Sequence, residues 1–263
     1  MSFQKVIENA INQANKNTNF YINQEGLKVC NKCNEPIEVR LSPEEQTKML
    51  GLKKRPRMCK CERDKQEQDE EYEKKRRQQM RIEELRKRGI TDVIYSAYQF
   101  SKDDGRNAQN IKYCKSYVAN WATNKADNNG VLFFGDVGKG KSFMAGCIAN
   151  ALIDKGIYAY MTTLSRLVRN RIDKNSYTID ITEPDLLVID DLGVEKITPT
   201  VFEIIDDRYR ANKPTIITTN LTADKLKNPA TLEERRVYDR ILGMCKIKVL
   251  VDNKYNRFNQ PQI

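Results

Sequence analysis

A chain of 263 residues, 39% of them hydrophobic, can bury one medium-sized core and a small second unit. No apolar run approaches the roughly 18–20 residues that cross a bilayer, and the polar start Met1-Ser2-Phe3-Gln4-Lys5 is no signal peptide, so a cytosolic protein is expected. The net charge of +10 fits an anionic partner such as nucleic acid, or a basic surface that aids solubility; seven cysteines and no histidine confine any zinc site to sulfur and carboxylate ligands.

Residues 3–14 place Phe3, Val6, Ile7, Ala10, Ile11 and Ala14 at helical spacing, an apolar stripe that packs on its own domain or against a partner. Four cysteines follow as Cys30-x-x-Cys33 and Cys59-x-Cys61. Two close pairs can supply the four thiolates of a closed tetrahedral zinc site, which leaves no position for a catalytic water. The second pair has one intervening residue instead of the commoner two, and an iron–sulfur cluster uses the same ligands and is the alternative. Residues 62–88 are charged and helix-favouring with little to bury, which predicts a solvated linker helix ending near Gly89. Residues 1–88 hold 21 basic and 15 acidic side chains, a net of +6, so this end carries the denser positive charge.

Beyond the linker, helix and strand patterns alternate. Helices are predicted over 110–124, 142–155, 200–211 and 231–242, and strands over 130–134, 157–162, 186–189, 215–218 and 247–251. Strands separated by helices imply an α/β fold around a mainly parallel sheet covered on both faces. Cys114, Cys147 and Cys245 fall inside these elements and read as core thiols. The expected organisation is an N-terminal helix and cysteine module over 1–61, a charged linker helix over 62–94, and an α/β domain over 95–263.

Gly135-Asp136-Val137-Gly138-Lys139-Gly140-Lys141-Ser142 matches G-x-x-x-x-G-K-[ST] at every fixed position, after a predicted strand and before a predicted helix. Such a loop turns backbone N–H groups and a helix N-terminus toward phosphate oxygens. Lys141 is expected at the β- and γ-phosphates of ATP and Ser142 on Mg²⁺. The apolar run Leu186-Leu187-Val188-Ile189 ends in Asp190-Asp191, the form of a Walker B strand. Asp190 is its expected magnesium partner, and Asp191 stands where a carboxylate orients and deprotonates the attacking water. Asn220 closes the strand Thr215-Ile216-Ile217-Thr218-Thr219 at the edge where ligands bind in α/β sheets, as a residue that holds the water or γ-phosphate.

Together with Arg236-Val237-Tyr238-Asp239-Arg240, these motifs resemble the AAA+ domain of DnaC/DnaI-like bacterial and phage helicase loaders and of their relative, the IstB transposition helper, over residues 95–258. The resemblance implies an AAA+ P-loop ATPase that self-associates. Arg240 is then the arginine finger, with Arg236 as the alternative, and Arg257 a sensor 2 residue. It directs attention to Arg166, Arg169, Arg171 and Lys174 as a basic track for single-stranded DNA, and to the cysteine module as the part that engages a hexameric replicative helicase. The implied function is ATP-dependent helicase loading in replication initiation; the alternative is a transposition helper that binds duplex DNA. A metabolic P-loop kinase is disfavoured, because no substrate lid or small-molecule pocket motif is present.

Overall fold

The computed structural model describes residues 19–249 other than 50, 106, 174–179 and 194–195. The stripe over 3–14, Lys174 and Arg257 therefore lie outside the described residues. The chain divides between Arg77 and Gln78 into two units, and the division falls inside the charged helix expected as a linker.

The first unit is built from two short antiparallel ribbons. Strands β1 (Phe20–Ile22) and β2 (Lys28–Cys30) pair around a turn in which Asn23 Oδ1 accepts the N–H groups of Glu25 and Leu27. Strands β3 (Glu38–Arg40) and β4 (Lys54–Pro56) pair in the same way, with helix α1 (Pro43–Lys48) between them. Ser42 and Glu45 close a reciprocal capping box at the start of α1, which places a helix where few apolar residues call for one. Helix α2 (Lys60–Gly89) then runs through the predicted charged segment and ends at Gly89.

In the second unit a five-stranded sheet has the order β6-β7-β8-β5-β9 and is parallel throughout. Its strands are β5 (Gly130–Phe134), β6 (Ala159–Thr163), β7 (Leu186–Leu192), β8 (Thr215–Thr219) and β9 (Cys245–Val249). Alternate side chains go to opposite faces. Val131, Phe133, Met161, Val188 and Ile216 meet helix α6 (Lys141–Asp154), whereas Leu132, Tyr160, Leu187, Ile189 and Ile217 meet α8 (Pro199–Arg210) and α10 (Leu232–Met244). Both faces are thus buried, the condition under which strands read as continuous apolar runs. Cys114, Cys147 and Cys245 are buried in this unit.

Several boundaries differ from the sequence expectation for local reasons. The helix predicted over 110–124 is two helices, α4 (Ala108–Ala119) and α5 (Trp121–Ala126), which part at Asn120, where the backbone (φ −95, ψ 27) leaves the helical region while its N–H still bonds the Ser116 carbonyl. Strand β7 continues past Ile189 to Leu192, with an irregular register against β8 across Asp190 and Asp191. The edge strand β9 begins at Cys245, directly after α10, not at residue 247. Helix α7 (Leu164–Ile172), capped by Thr163 accepting from the Arg166 N–H, and the short helices α3 (Val93–Ser96) and α9 (Ala223–Lys227) were not predicted.

Candidate nucleotide and metal sites

The loop between β5 and α6 can turn only because glycine occupies its bends. Gly140 adopts φ 77 while its carbonyl accepts the Met144 N–H, so the first turn of α6 starts from a left-handed residue. Lys141 follows, 5% exposed, and its ammonium donates to the carbonyls of Gly135 and Asp136 at 2.8 Å and to Asn220 Oδ1 at 2.5 Å. Burial holds this ammonium below its ordinary pKa, against the opposing pull of Asp191, Asp190 and Asp136. A cleft of 490 Å³ opens over the loop, lined by Gly138, Lys141, Ser142, Asp191 and Asn220 and by Tyr98 and Asn107 among others.

Asp190 is 2% exposed, and each of its carboxylate oxygens accepts a hydroxyl: Oδ1 from Thr218 Oγ1 at 2.5 Å and Oδ2 from the Tyr95 hydroxyl at 3.0 Å. Thr218 Oγ1 also accepts the Asp191 N–H at 2.9 Å. Asp191 itself sits at φ 57, in the left-handed region that Asp and Asn enter more readily than other non-glycine residues. The Tyr95 phenol stays firmly protonated, because burial and the neighbouring Asp190 both raise its pKa. Ser142, Asp190 and Asp191 offer only oxygen donors, the set that suits Mg²⁺.

The structure therefore brings Lys141, Ser142, Asp190, Asp191 and Asn220 to one edge of the sheet. It places Arg236 and Arg240 elsewhere. Arg240 and Arg236 stand one turn apart on α10, and neither lines the cleft of their own chain. Arg240 donates from Nε to Asp206 Oδ1 at 2.9 Å and lies 4.7 Å from the Tyr209 ring centroid; Arg236 is exposed. Burial would raise the Asp206 carboxyl, but hydrogen bonds from Arg240 and Arg210 outweigh it and hold the carboxyl below the usual range.

Of the basic segment, Arg166 donates to Thr91 Oγ1, Arg171 pairs with Asp207, and Arg166 and Arg169 line a second cleft of 480 Å³ together with Tyr95 and Asp173. Sequence reasoning passed over Tyr95, Tyr98 and Asn107, which lie well before the loop in the chain and carry no local pattern. Thr218 had one available signal, its place among three threonines in a fully buried strand.

In the first unit, the thiols of Cys30, Cys33, Cys59 and Cys61 all lie within 4.8 Å of one another. Backbone N–H groups of Cys61 and Glu35 bring the Cys33 thiol down to about 6, and the hydrogen bond to Cys33 is the largest cause that pushes Cys61 up to about 12. Glu35 accepts from the Lys60 N–H at 2.7 Å and pairs with Arg63 at 3.1 Å, tying the turn after Cys33 to the helix that carries Cys61. Four convergent thiols, two of them buried, fit a tetrahedral thiolate-bound metal.

Among the described residues no helix is long and apolar enough to cross a membrane. A model of the family described as IstB-like ATP binding protein matches residues 62–261. The chain is 28% identical over 138 residues to the replicative helicase loader DnaI of Bacillus subtilis, covering 44% of each chain. It is 30% identical over 162 residues to the replicative helicase loader DnaC of Buchnera aphidicola subsp. Schizaphis graminum, covering 56% of this chain and 62% of that one. The matches thus span less than two thirds of these relatives. A crystal structure of the DnaC helicase loader aligns with a TM-score of 0.49 and 24% identity, over 61% of this chain and 100% of that one.

Proposed function

Because this chain belongs to the family of IstB-like ATP binding proteins, we propose that it is an ATP-hydrolysing replicative helicase loader that binds the helicase and single-stranded DNA. The observation that carries the ATPase reading is the convergence of Lys141, Asn220 and Asp191 on one cleft, from three segments of the chain. The loop Gly135 to Ser142 holds the phosphates with its backbone, and Lys141 leaves its loop carbonyls for the β- and γ-phosphates. Ser142 and Asp190 would hold Mg²⁺, which shields phosphate charge when bound. Asn220 orients the attacking water, and Asp191 takes its proton as the water oxygen bonds to the γ-phosphorus and ADP leaves.

Arg240, or Arg236, acts from a neighbouring subunit as the finger, and Arg257 as the late arginine at the same nucleotide. The four thiolates of Cys30, Cys33, Cys59 and Cys61 hold a structural Zn²⁺, and the module they close docks on the hexameric helicase. Arg166, Arg169, Arg171 and Lys174 track DNA phosphates in the assembled protein, in the cytoplasm. The similarity to two loaders supports this reading over the transposition helper.

The test uses the full chain. Helicase should co-elute with it in the absence of ATP, and fluorescence anisotropy should show single-stranded DNA binding only with ATP. That binding should weaken steeply with salt, because phosphate contacts release counterions. Charge reversal at Arg169 and Lys174 together should abolish DNA binding and spare the helicase. A chain that ignores the helicase and prefers duplex DNA is instead a transposition helper.

A further inference from the structure

Asp190 is oriented from two directions of unequal firmness. The plane of an aspartate carboxylate is set by a soft torsion with two broad wells, so hydroxyl donors on both oxygens decide where it points. Thr218 approaches from the central strand β8. Tyr95 approaches from α3, a four-residue helix with no buried residue, whose Val93 and Ile94 are 82% and 63% exposed. Within α3 only the Tyr95 ring packs against the core, so the position of this short helix depends in large part on polar contacts.

Those contacts converge on Asn150 of α6, which is 2% exposed. Its amide Nδ2 donates to the carbonyls of Tyr95 at 2.9 Å, Tyr98 at 3.0 Å and Gly146 at 3.0 Å. Its Oδ1 accepts from Arg86 Nη1 at 2.8 Å, and Arg86, in the last turn of α2, also pairs with Asp154. Hydrogen bonds thus tie Arg86 to Asn150 and Asn150 to the Tyr95 backbone carbonyl, and the phenol at the other end of Tyr95 reaches Asp190.

We propose that Tyr95 is a positioning residue that sets the Asp190 carboxylate for the metal, and that Arg86 and Asn150 make this setting depend on the last turn of α2. The proposal rests on Asp190 serving the nucleotide's Mg²⁺. The end of α2 then acts as an input to the ATP site, and a displacement of that turn frees the tyrosine and loosens the carboxylate.

The experiment is titration of the full chain with a fluorescent ATP analogue, once with Mg²⁺ and once with EDTA. Tyr95→Phe keeps the ring and removes one hydroxyl. It should lower affinity about tenfold with Mg²⁺, the scale of a hydrogen bond to a charged group, and leave affinity in EDTA unchanged. Arg86→Gln should shift the Mg²⁺-dependent part in the same direction by less. Equal losses in both conditions, or none, remove Tyr95 from this role, and an Arg86→Gln chain with wild-type Mg²⁺ dependence removes the link to α2. Lys141→Ala separates the two levels. If it binds nucleotide as the wild type does, the site itself has been misassigned; if it loses binding while Tyr95→Phe shows no Mg²⁺-selective effect, only the positioning role fails.

Discussion

At the scale of the residue, Asp191 combines a strained backbone with a carboxylate in the cleft. A left-handed non-glycine residue is held there by its surroundings, in this case by its N–H donating to Thr218 beside the irregular register of β7 and β8. Asn tolerates that conformation as Asp does, so Asp191→Asn isolates the chemistry from the fold. It should change stability by less than about 0.5 kcal/mol, the range of substitutions that leave structure intact, and retain nucleotide binding. Phosphate release should nevertheless be lost; turnover equal to the wild type would exclude Asp191 as the base. Lys141 and Ser142 were legible in the sequence because the motif that contains them is contiguous. Tyr95 was not, since 95 residues separate it from Asp190 and only the fold closes that gap.

At the scale of the element, α6 shows how a helix preference and a packing need can oppose each other. Gly146 lies inside this helix, where alanine is intrinsically better by about 1 kcal/mol. A Cβ at Gly146 would fall 2.5 Å from Tyr98 Cδ2 and 2.9 Å from Tyr98 Cβ, however, and Tyr98 packs edge-on against Phe143 with ring centroids 5.5 Å apart. The clash involves the root of an anchored ring, so Gly146→Ala should destabilise by roughly 1–3 kcal/mol, as overpacking does. Because Tyr98 also lines the cleft, nucleotide affinity should fall with it. Denaturant melts and nucleotide titration check both, and a stabilised variant with normal affinity would show that Tyr98 moves aside freely.

The cysteine module is a second case. Its strands are three residues long, and Tyr21, Ile22, Leu52 and Met58 are exposed in the module, so little apolar burial supports it. Structural zinc contributes on the order of 10 kcal/mol to such folds. Elemental analysis should find about one Zn²⁺ per chain, and Cys33→Ser should lose the metal and unfold the module. A metal-free preparation that remains folded, or a coloured iron-containing one, would overturn the zinc assignment.

At the scale of the whole molecule, the placement of α10 bears on assembly. Arg240 is engaged by Asp206 and Tyr209 within its own chain, so a role at a neighbour's nucleotide requires it to exchange those partners, whereas Arg236 is already exposed. Arg240→Ala should bind ATP normally and hydrolyse it more slowly, by up to roughly 10³-fold on the scale of fingers in GTPases. Mixing it with Lys141→Ala should restore part of the turnover, because each variant supplies the half-site that the other lacks. Turnover unchanged in Arg240→Ala moves the role to Arg236.

The sequence by itself determined the phosphate loop, the acidic end of β7, the four-cysteine set and the alternation of strand and helix. Each of these is encoded by neighbours in the chain: a loop cradles phosphate with its own backbone, and burial on two faces leaves apolar runs whatever the strand order. Only the tertiary structure decided the order β6-β7-β8-β5-β9, which sets Asn220 against Lys141 across 79 residues. It also decided the fate of Arg208, which lies in the last turn of the amphipathic helix α8 and would pass for a solvated side chain. Its guanidinium is fully buried and donates to Thr215 Oγ1 and to the carbonyls of Ile181, Pro184, Asp185 and Pro214. A buried charge is tolerable only where such acceptors converge, and strand pairing and loop closure over distant segments bring them together in a way that no local pattern records.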